Sequence, residues 1–437
     1  MQQSEFQQQA LKLAGQQHAP DYLQALRHSG AAEFACAPWP GRKSEHWKYT
    51  PLMSLQAFAE AGLPKALDTV PTSADLQAMR SEQYINVIFV DGVFNADASD
   101  ALPAGVSLFS QAGDEAQQIL QQHLGKIASQ VASERRNLFA ALNNAQLTEG
   151  VLVTVAKNTT LDKPLNLIYL SSAVAGDLMA NTRVLIVLEQ GANAKVIEQY
   201  LSADDATDSF ANSLTEIAVG ENARLHHTRL HLEHEDSRHI GGVHVNLQRS
   251  AVFEGFTLAE GGRLKRIDYQ INHGGEGGEA ILNGVYLARH QQLVDYHTTI
   301  EHRVPHCTSN EVFRGIVGDK AKAVFNGRIH IHEDAQKTLA ELNNRNLLTS
   351  NSAEVDTKPE LEIYADDVRC AHGATISQLD DTALYYLQSR GVERQQATMM
   401  LSYGFINEVM MALPYADMLD TLQTRLRQRF IEESSID

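Results

Sequence analysis

Over roughly the first 80 residues, polar and apolar positions alternate in a way that suits helices: a glutamine-rich stretch over residues 2–15, then residues 19–29 around Leu23 and Leu26. A segment bounded by Pro38 and Pro51 follows, and together these predict a small helical unit. At Tyr84 the texture changes. YINVIFVDGVF reads as a strand, a turn at Asp91-Gly92 and a second strand. Leu120, Leu124, Ile127, Val131, Leu138 and Leu142 then recur at steps of three, four and seven, the stripe of one helix or a pair of helices. These elements make up an N-terminal helical and mixed region over residues 1–150.

From about residue 150 to 376 the helical period gives way to short β-rich runs punctuated by Gly, Asn and Asp. Similar turns recur: LEQGANAKV from Leu188, AVGENARL from Ala218, LQRSAVF from Leu247, LARHQQLV from Leu287, IVGDKAKAV from Ile316 and LTSNSAEV from Leu348. With Ala194, Ala223, Ala251, Leu293, Ala321 and Ala353 as a ruler, the spacings are 29, 28, 42, 28 and 32. A unit of strand, polar turn and strand repeated near 30 residues cannot bury its inner face alone, so copies must stack into a β-solenoid. The spacing of 42 contains NHGGEGGE (272–279), which reads as a loop bulging from one coil. A β-sandwich with similar hairpin turns is the alternative. The solenoid core is expected over 151–378. Past Asp380 the pattern turns helical, through Leu384 and Leu387 to a stop at Gly391, then Ala397, Met400, Leu401, Phe405 and Val409, and after Pro414 Leu419, Leu422, Leu426 and Phe430. This C-terminal helical domain, 379–437, is expected to cap an open solenoid end, and its apolar stripes exceed what that task uses, leaving surface for a partner.

Composition narrows the function classes. The chain has 437 residues and a formal charge of -18, from 36 Lys and Arg against 54 Asp and Glu. That balance argues against a broad grip on nucleic acid or an anionic membrane. The first residues lack a basic leader with an apolar block, and no apolar run nears the roughly 20 residues of a bilayer span. A cytoplasmic, soluble protein is expected, with Cys36, Cys307 and Cys370 as reduced thiols.

Several motifs were weighed for chemistry. Gly275-x-Gly277-x-x-Ala280 resembles a dinucleotide fingerprint, but a strand follows it and Glu276 and Glu279 would repel a pyrophosphate. The chain has no G-x-x-x-x-G-K-[ST], so any ATP-driven step needs another subunit. Six histidines, at 226, 227, 231, 234, 239 and 244, fall within nineteen residues without zinc-protease spacing and read as an exposed solenoid rim. His330 and His332 share a strand face, with no third ligand nearby in sequence. Cys307, beside His306, and Cys36 read as buried or loop thiols. Cys370-Ala-His372 stands apart: two residues apart on a strand puts thiol and imidazole on one face, about 6.6 Å apart along the backbone. That donor pair suits iron, copper or zinc, yet two ligands do not complete a site. Either another chain supplies the rest, or the pair is structural.

GRKSEHWKYTPL (41–52), the repetitive β region, RCAHGAT (369–375), LYYLQSRG (384–391) and Tyr403-Gly-Phe405 together resemble the SufB/SufD family of the SUF iron–sulfur assembly system, along essentially the whole chain. The resemblance implies a right-handed parallel β-helix between N- and C-terminal helical domains, paired edge to edge with a SufB subunit. It also implies a SufC ATPase on the C-terminal helical domain, through residues near 384–411. An iron–sulfur cluster would form transiently at the subunit junction, with His372 as a metal ligand facing SufB and Cys370 less clearly tied to function. A flavin in the complex and a homodimer of the chain alone are further expectations. On this reading the chain is an assembly scaffold rather than an enzyme. Two rivals remain: a purely structural pseudo-subunit, and a solitary β-helix polysaccharide hydrolase or lyase using Asp366 and Asp367.

Overall fold

The computed structural model describes residues 4–63, 67, 69–130, 138–172, 179–205 and 208–434. Its body is a parallel β-solenoid of two facing sheets. The first, in spatial order, holds β2 (Val93–Phe94), β1 (Ile85–Val90), β5 (Leu165–Ser171), β7 (Asn193–Ser202), β9 (Arg224–His231), β11 (Val252–Glu260), β13 (Glu279–Ala288), β15 (Thr308–Val317), β17 (Leu339–Leu348) and β19 (Arg369–Gln378). The second holds β3 (Val106–Leu108), β4 (Val151–Val155), β6 (Met179–Leu188), β8 (Phe210–Val219), β10 (Arg238–Leu247), β12 (Leu264–His273), β14 (Leu293–His302), β16 (Lys322–Ile331) and β18 (Glu354–Ile363). From β4 onward each strand pairs in parallel with the strand two places on, so the chain changes sheet at every corner and climbs one layer per two strands. That pairing excludes a sandwich of antiparallel hairpins. The expected hairpin at Asp91-Gly92 is present at the N-terminal end, both residues having positive φ.

In the first sheet β9 to β19 begin at residues 224, 252, 279, 308, 339 and 369, so a coil takes 27 to 31 residues. The spacing of 42 is therefore not a bulging loop. Residues 274–278 form a five-residue corner between β12 and β13 like its neighbours, and the ruler had crossed from one corner column to the other, adding half a coil. The corners that lead from the second sheet into β7, β9, β11, β13, β15 and β17 each hold one residue in the left-handed conformation, at Gly191, Asn222, Ser250, Gly277, His306 and Lys337, and the corners before β14 and β16 do so at His290 and Asp319. Gly and Asn suit that backbone best, which explains the polar signature of the turns.

Strand alternation fills the lumen between the sheets with aligned columns, such as Phe253, Ala280, Ser309, Ala340 and Cys370, and beside it Gly255, Leu282, Glu311, Leu342 and His372. Helices cover both outer faces. On the second sheet lie α1 (Glu5–Gln16), α2 (Gln24–Cys36) and α5 (Leu138–Ala145), where Phe6, Phe34, Trp47 and Phe139 pack on Phe210, Ile240 and Leu264. Ser4 and Gln7 close a capping box at the start of α1. The other N-terminal helices are α3 (Ala74–Met79) and α4 (Asp114–His123). Of the helical stripe expected over 112–146, Val131 lies outside the described residues.

The C-terminal helices α6 (Asp381–Ser389), α7 (Arg394–Met410) and α8 (Ala416–Ser434) follow the predicted segments, with Gly391 at positive φ after α6. They do not cap the solenoid end. Ile406, Val409, Met418, Leu422, Leu426 and Phe430 pack along the outer face of the first sheet, on Leu201, Leu230, Leu258, Leu287 and Ile316. Every coil repeats an outward apolar position there, so the flank offers α7 and α8 a longer apolar stripe than the end does. Arg425 of α8 joins Glu260 at 2.8 and 2.9 Å and also pairs with Asp75. Burial pushes the Glu260 carboxyl up, but Arg425 and Arg429 outweigh it and hold it at about 2.

The C-terminal end of the solenoid is left uncovered. β18 and β19 are the last strands of their sheets, each ten residues long and pairing on one side only. Most of β19 is exposed, and Ile363, Tyr364 and Ile376 present apolar surface around the opening. Among the described residues, no helix is long and apolar enough to cross a membrane.

Candidate functional site

Cys370 and His372 lie on β19, at the uncovered end. Their partners on β17 are Ala340 and Leu342, both lumen residues, so thiol and imidazole continue lumen columns and face the mouth of the solenoid. Cys370 is half-buried against the core, whereas His372, one step further along the face, is exposed because no coil covers it. Burial pushes the Cys370 thiol up, against a hydrogen bond from the Ala340 amide, so it is a protonated thiol at neutral pH in the isolated chain. Among the described residues, the groups of three potential ligands lie elsewhere. The chain thus sets a soft thiol and a borderline imidazole, two donor types that metals accept, on an edge strand with free backbone groups.

Asp366 and Asp367 occupy the corner before β19. Both are exposed, and Asp367 forms an ion pair with Lys337. The pair gains no buried environment of the kind that separates the roles of two catalytic carboxyls.

The clustered histidines are not an exposed rim. His227, His231, His239 and His244 are buried. His227 Nε2 lies 2.7 Å from Glu198 Oε1, and Glu198 Oε2 accepts from Tyr200 at 2.8 Å. Arg229 donates to Tyr200 and Ser213. His239 contacts Ser213 at 2.6 Å and Glu233 at 2.5 Å, and Lys265 donates to Glu233 at 2.8 Å. Burial alone would raise Glu198 and Glu233; the adjacent Arg229 and Lys265 respectively, with His227 and His239, hold each at about 2. His227 and His239 are buried with charged and polar partners, and His231 is buried by stacking, its ring centroid 4.9 Å from that of Tyr200 and 4.4 Å from that of His239, none of which sequence spacing reveals.

Two further groupings were not apparent from sequence. His273 and His302, register partners on β12 and β14, stack with ring centroids 4.4 Å apart beside the buried Cys307, which is a buried thiol as expected. Burial drives both imidazoles down, His302 to about 4, and pushes the Cys307 thiol up against amides of Gly278 and Gly277. On the outer face of the second sheet, His330 and His332 meet Glu301 of β14, a third potential ligand absent from their own stretch of sequence. The signal for both was the coil length, since residues 273 and 302, or 301 and 330, are 29 apart. Cys36 ends α2 and is exposed. After Gly275-x-Gly277-x-x-Ala280 comes strand β13, as expected.

Comparison with known proteins agrees with this architecture. Residues 170–405 match the family described as SUF system FeS cluster assembly, SufBD core domain, and residues 4–167 match the SufBD protein N-terminal region. The iron–sulfur cluster assembly protein SufD of Escherichia coli is 32% identical over 94% of this chain and 92% of its own length. A SufBD family iron–sulfur cluster assembly protein of Synechocystis is 30% identical over 93% of this chain and 90% of its own. The chloroplastic protein ABCI7 of Arabidopsis thaliana is 27% identical over 93% and 86%. With a two-sheet solenoid, helices on its flanks and family matches along nearly its whole length, this chain belongs to the SufBD family of iron–sulfur cluster assembly proteins.

Proposed function

We propose that the chain is a non-ATPase scaffold subunit in the SufD position of a SufB–SufC–SufD complex, acting in the cytoplasm, and that clusters are built where its open end meets a SufB-type partner. The observation that carries the reading is the uncovered edge strand β19 with His372 exposed at the solenoid mouth. A second solenoid placed edge to edge would pair the free backbone of β18 and β19, bury the apolar mouth, and bring its own ligands opposite His372 and Cys370. In the absence of that partner, a second copy of this chain would occupy the same edge.

The C-terminal segment 379–437 is the proposed docking unit for a SufC-type ATPase. Tyr385, Tyr386, Met400 and Met411, on α6 and around α7, expose large apolar surface, which supports this assignment. ATP-driven approach of two ATPase copies would then strain the junction through α7 and α8, which lie along the sheet containing β19. Iron and sulfide are the cargo. An imidazole binds borderline metals yet releases them more readily than a thiolate, which suits a ligand that must let a finished cluster go. A flavin within the complex is compatible with this scheme.

The test is His372→Ala, co-expressed with SufB- and SufC-type partners, with iron and acid-labile sulfide measured on the purified complex. The complex should assemble while its cluster content falls by roughly tenfold or more. Normal cluster content in an intact complex would leave only the structural pseudo-subunit reading. Cys370→Ala assigns the thiol in the same way.

A further inference from the structure

We propose that Glu301, His330 and His332 form a binding site for a first-row divalent cation on the outer face of the second sheet, separate from the His372 half-site. Glu301 is the ninth residue of β14 and pairs in register with His330 on β16, and His332 follows two residues later as the chain leaves the strand. His330 Nδ1 and His332 Nε2 both lie 2.8 Å from the same oxygen, Glu301 Oε2. Three donor atoms drawn together on one side are the arrangement of a two-histidine, one-carboxylate face, with the remaining positions open to water.

The other carboxylate oxygen is already held. Glu301 Oε1 accepts from Arg328 Nη1 at 2.6 Å, and Arg328 is anchored in turn to Glu362 on the edge strand. Arg328 thus fixes the carboxylate so that Oε2 alone points to the imidazoles, an outer support that orients a metal ligand. Glu301, Glu362, Glu333 and Asp334 outnumber Arg328 and Arg303, leaving a net negative charge for a cation. On binding, the ion replaces the shared hydrogen bonds, and the proton that each imidazole directs at Oε2 moves by way of solvent to its other ring nitrogen, leaving the facing nitrogen free to ligate. Tyr364 packs edge-on against His330, and His330, His332, Arg303, Glu333, Asp334 and Tyr364 line a recess of about 450 Å³ that opens to solvent. The site is thus supported from behind and reachable from in front. The two histidines without the glutamate would be a surface pair; the coil register makes them a three-donor face.

The experiment uses the full chain carrying Cys370→Ala and His372→Ala, so that the cluster-assembly reading stands or falls separately. Co²⁺ is titrated and followed by its visible d–d absorption, and Zn²⁺ binding is measured by calorimetry. One ion per chain is expected at this site. His332→Ala, at a partly exposed position, and Glu301→Gln should each weaken binding by roughly 100-fold and abolish the rise in melting temperature that metal produces. Cys307→Ser, beside the buried His273 and His302, should leave the signal in place. Unchanged stoichiometry and affinity in both His332→Ala and Glu301→Gln, or no Co²⁺ uptake by the parent, would overturn the proposal. A Co²⁺ signal lost in Cys307→Ser instead would do the same, by placing the ion in the solenoid interior.

Discussion

Glu311 provides a quantitative test of how the lumen is built. It lies in the lumen column between Leu282 and Leu342, fully buried, and among the described residues its polar support is a weak approach from the Thr298 hydroxyl. Burial raises its carboxyl from 4.5 to about 7, with Thr298 opposing. Between those values the folded chain binds more protons than the unfolded one, so stability falls as pH rises and the full loss is present above about pH 7. A shift of 2.5 units at 1.36 kcal/mol each is on the order of 3 kcal/mol. Glu311→Gln keeps the shape and cannot ionise. Its urea unfolding, compared with the parent chain at pH 5 and pH 8, should show an advantage that grows by about 2 to 3 kcal/mol over that interval. An advantage, or a deficit, of equal size at both pH values would refute the claim that a buried carboxyl in this column titrates near neutrality.

Other consequences follow from the same packing. Arg183 and Glu216 form a fully buried ion pair at 2.6 Å that also receives the amides of Gly125 and Ala128, so Arg183→Ala should cost about 3 to 5 kcal/mol in urea unfolding by stranding the carboxylate. A Cβ at Gly284 would meet the Phe313 ring at 2.1 Å, and Gly284→Ala should cost about 1 to 3 kcal/mol by overpacking the lumen, read as a lowered urea midpoint. His302, held at about 4 by burial, binds fewer protons folded than unfolded, so its contribution is lost as pH falls from about 6.5 to 4. His302→Gln should flatten the decline of the urea midpoint across that window. Leu426→Ala, beneath α8, should cost about 2 to 5 kcal/mol and expose the C-terminal helices to protease before the solenoid.

How far the sequence could be read depended on the range of each interaction. The hairpin at Asp91-Gly92, the stop at Gly391 and the three C-terminal helices were legible because capping, turn chemistry and periodicity act within a few residues. The coil length was legible as well, since the corners into β7, β9, β11, β13, β15 and β17 each place one residue in the left-handed conformation and so leave a recurrent polar turn in the sequence. Position within the coil was not. The ruler that moved from Ala251 to Leu293 passed from one corner to the other, because the corner before β14, left-handed at His290, repeats the turn chemistry of the corners before β9 and β11. The candidate pair Cys370 and His372 was found by strand alternation; its place at an uncovered mouth emerged only once the helices were seen on the flank.

The histidines divide along the same line. From composition, six near residue 235 looked like surface, yet Glu198 and Glu233, neutralised by Arg229 and Lys265, hold His227 and His239 inside, and Tyr200 stacks on His231. Likewise His330 and His332 lacked a third ligand until the register set Glu301 beside them. The amino-acid sequence by itself determined that this is a stack of coils of about 30 residues between helical segments, because each element is selected by local backbone preference and by burial of one face. Which side chains meet across coils, which flank the helices cover and which end stays open were decided only in three dimensions, because parallel register joins residues some 29 positions apart and the helices settle on whichever face offers the longest apolar stripe.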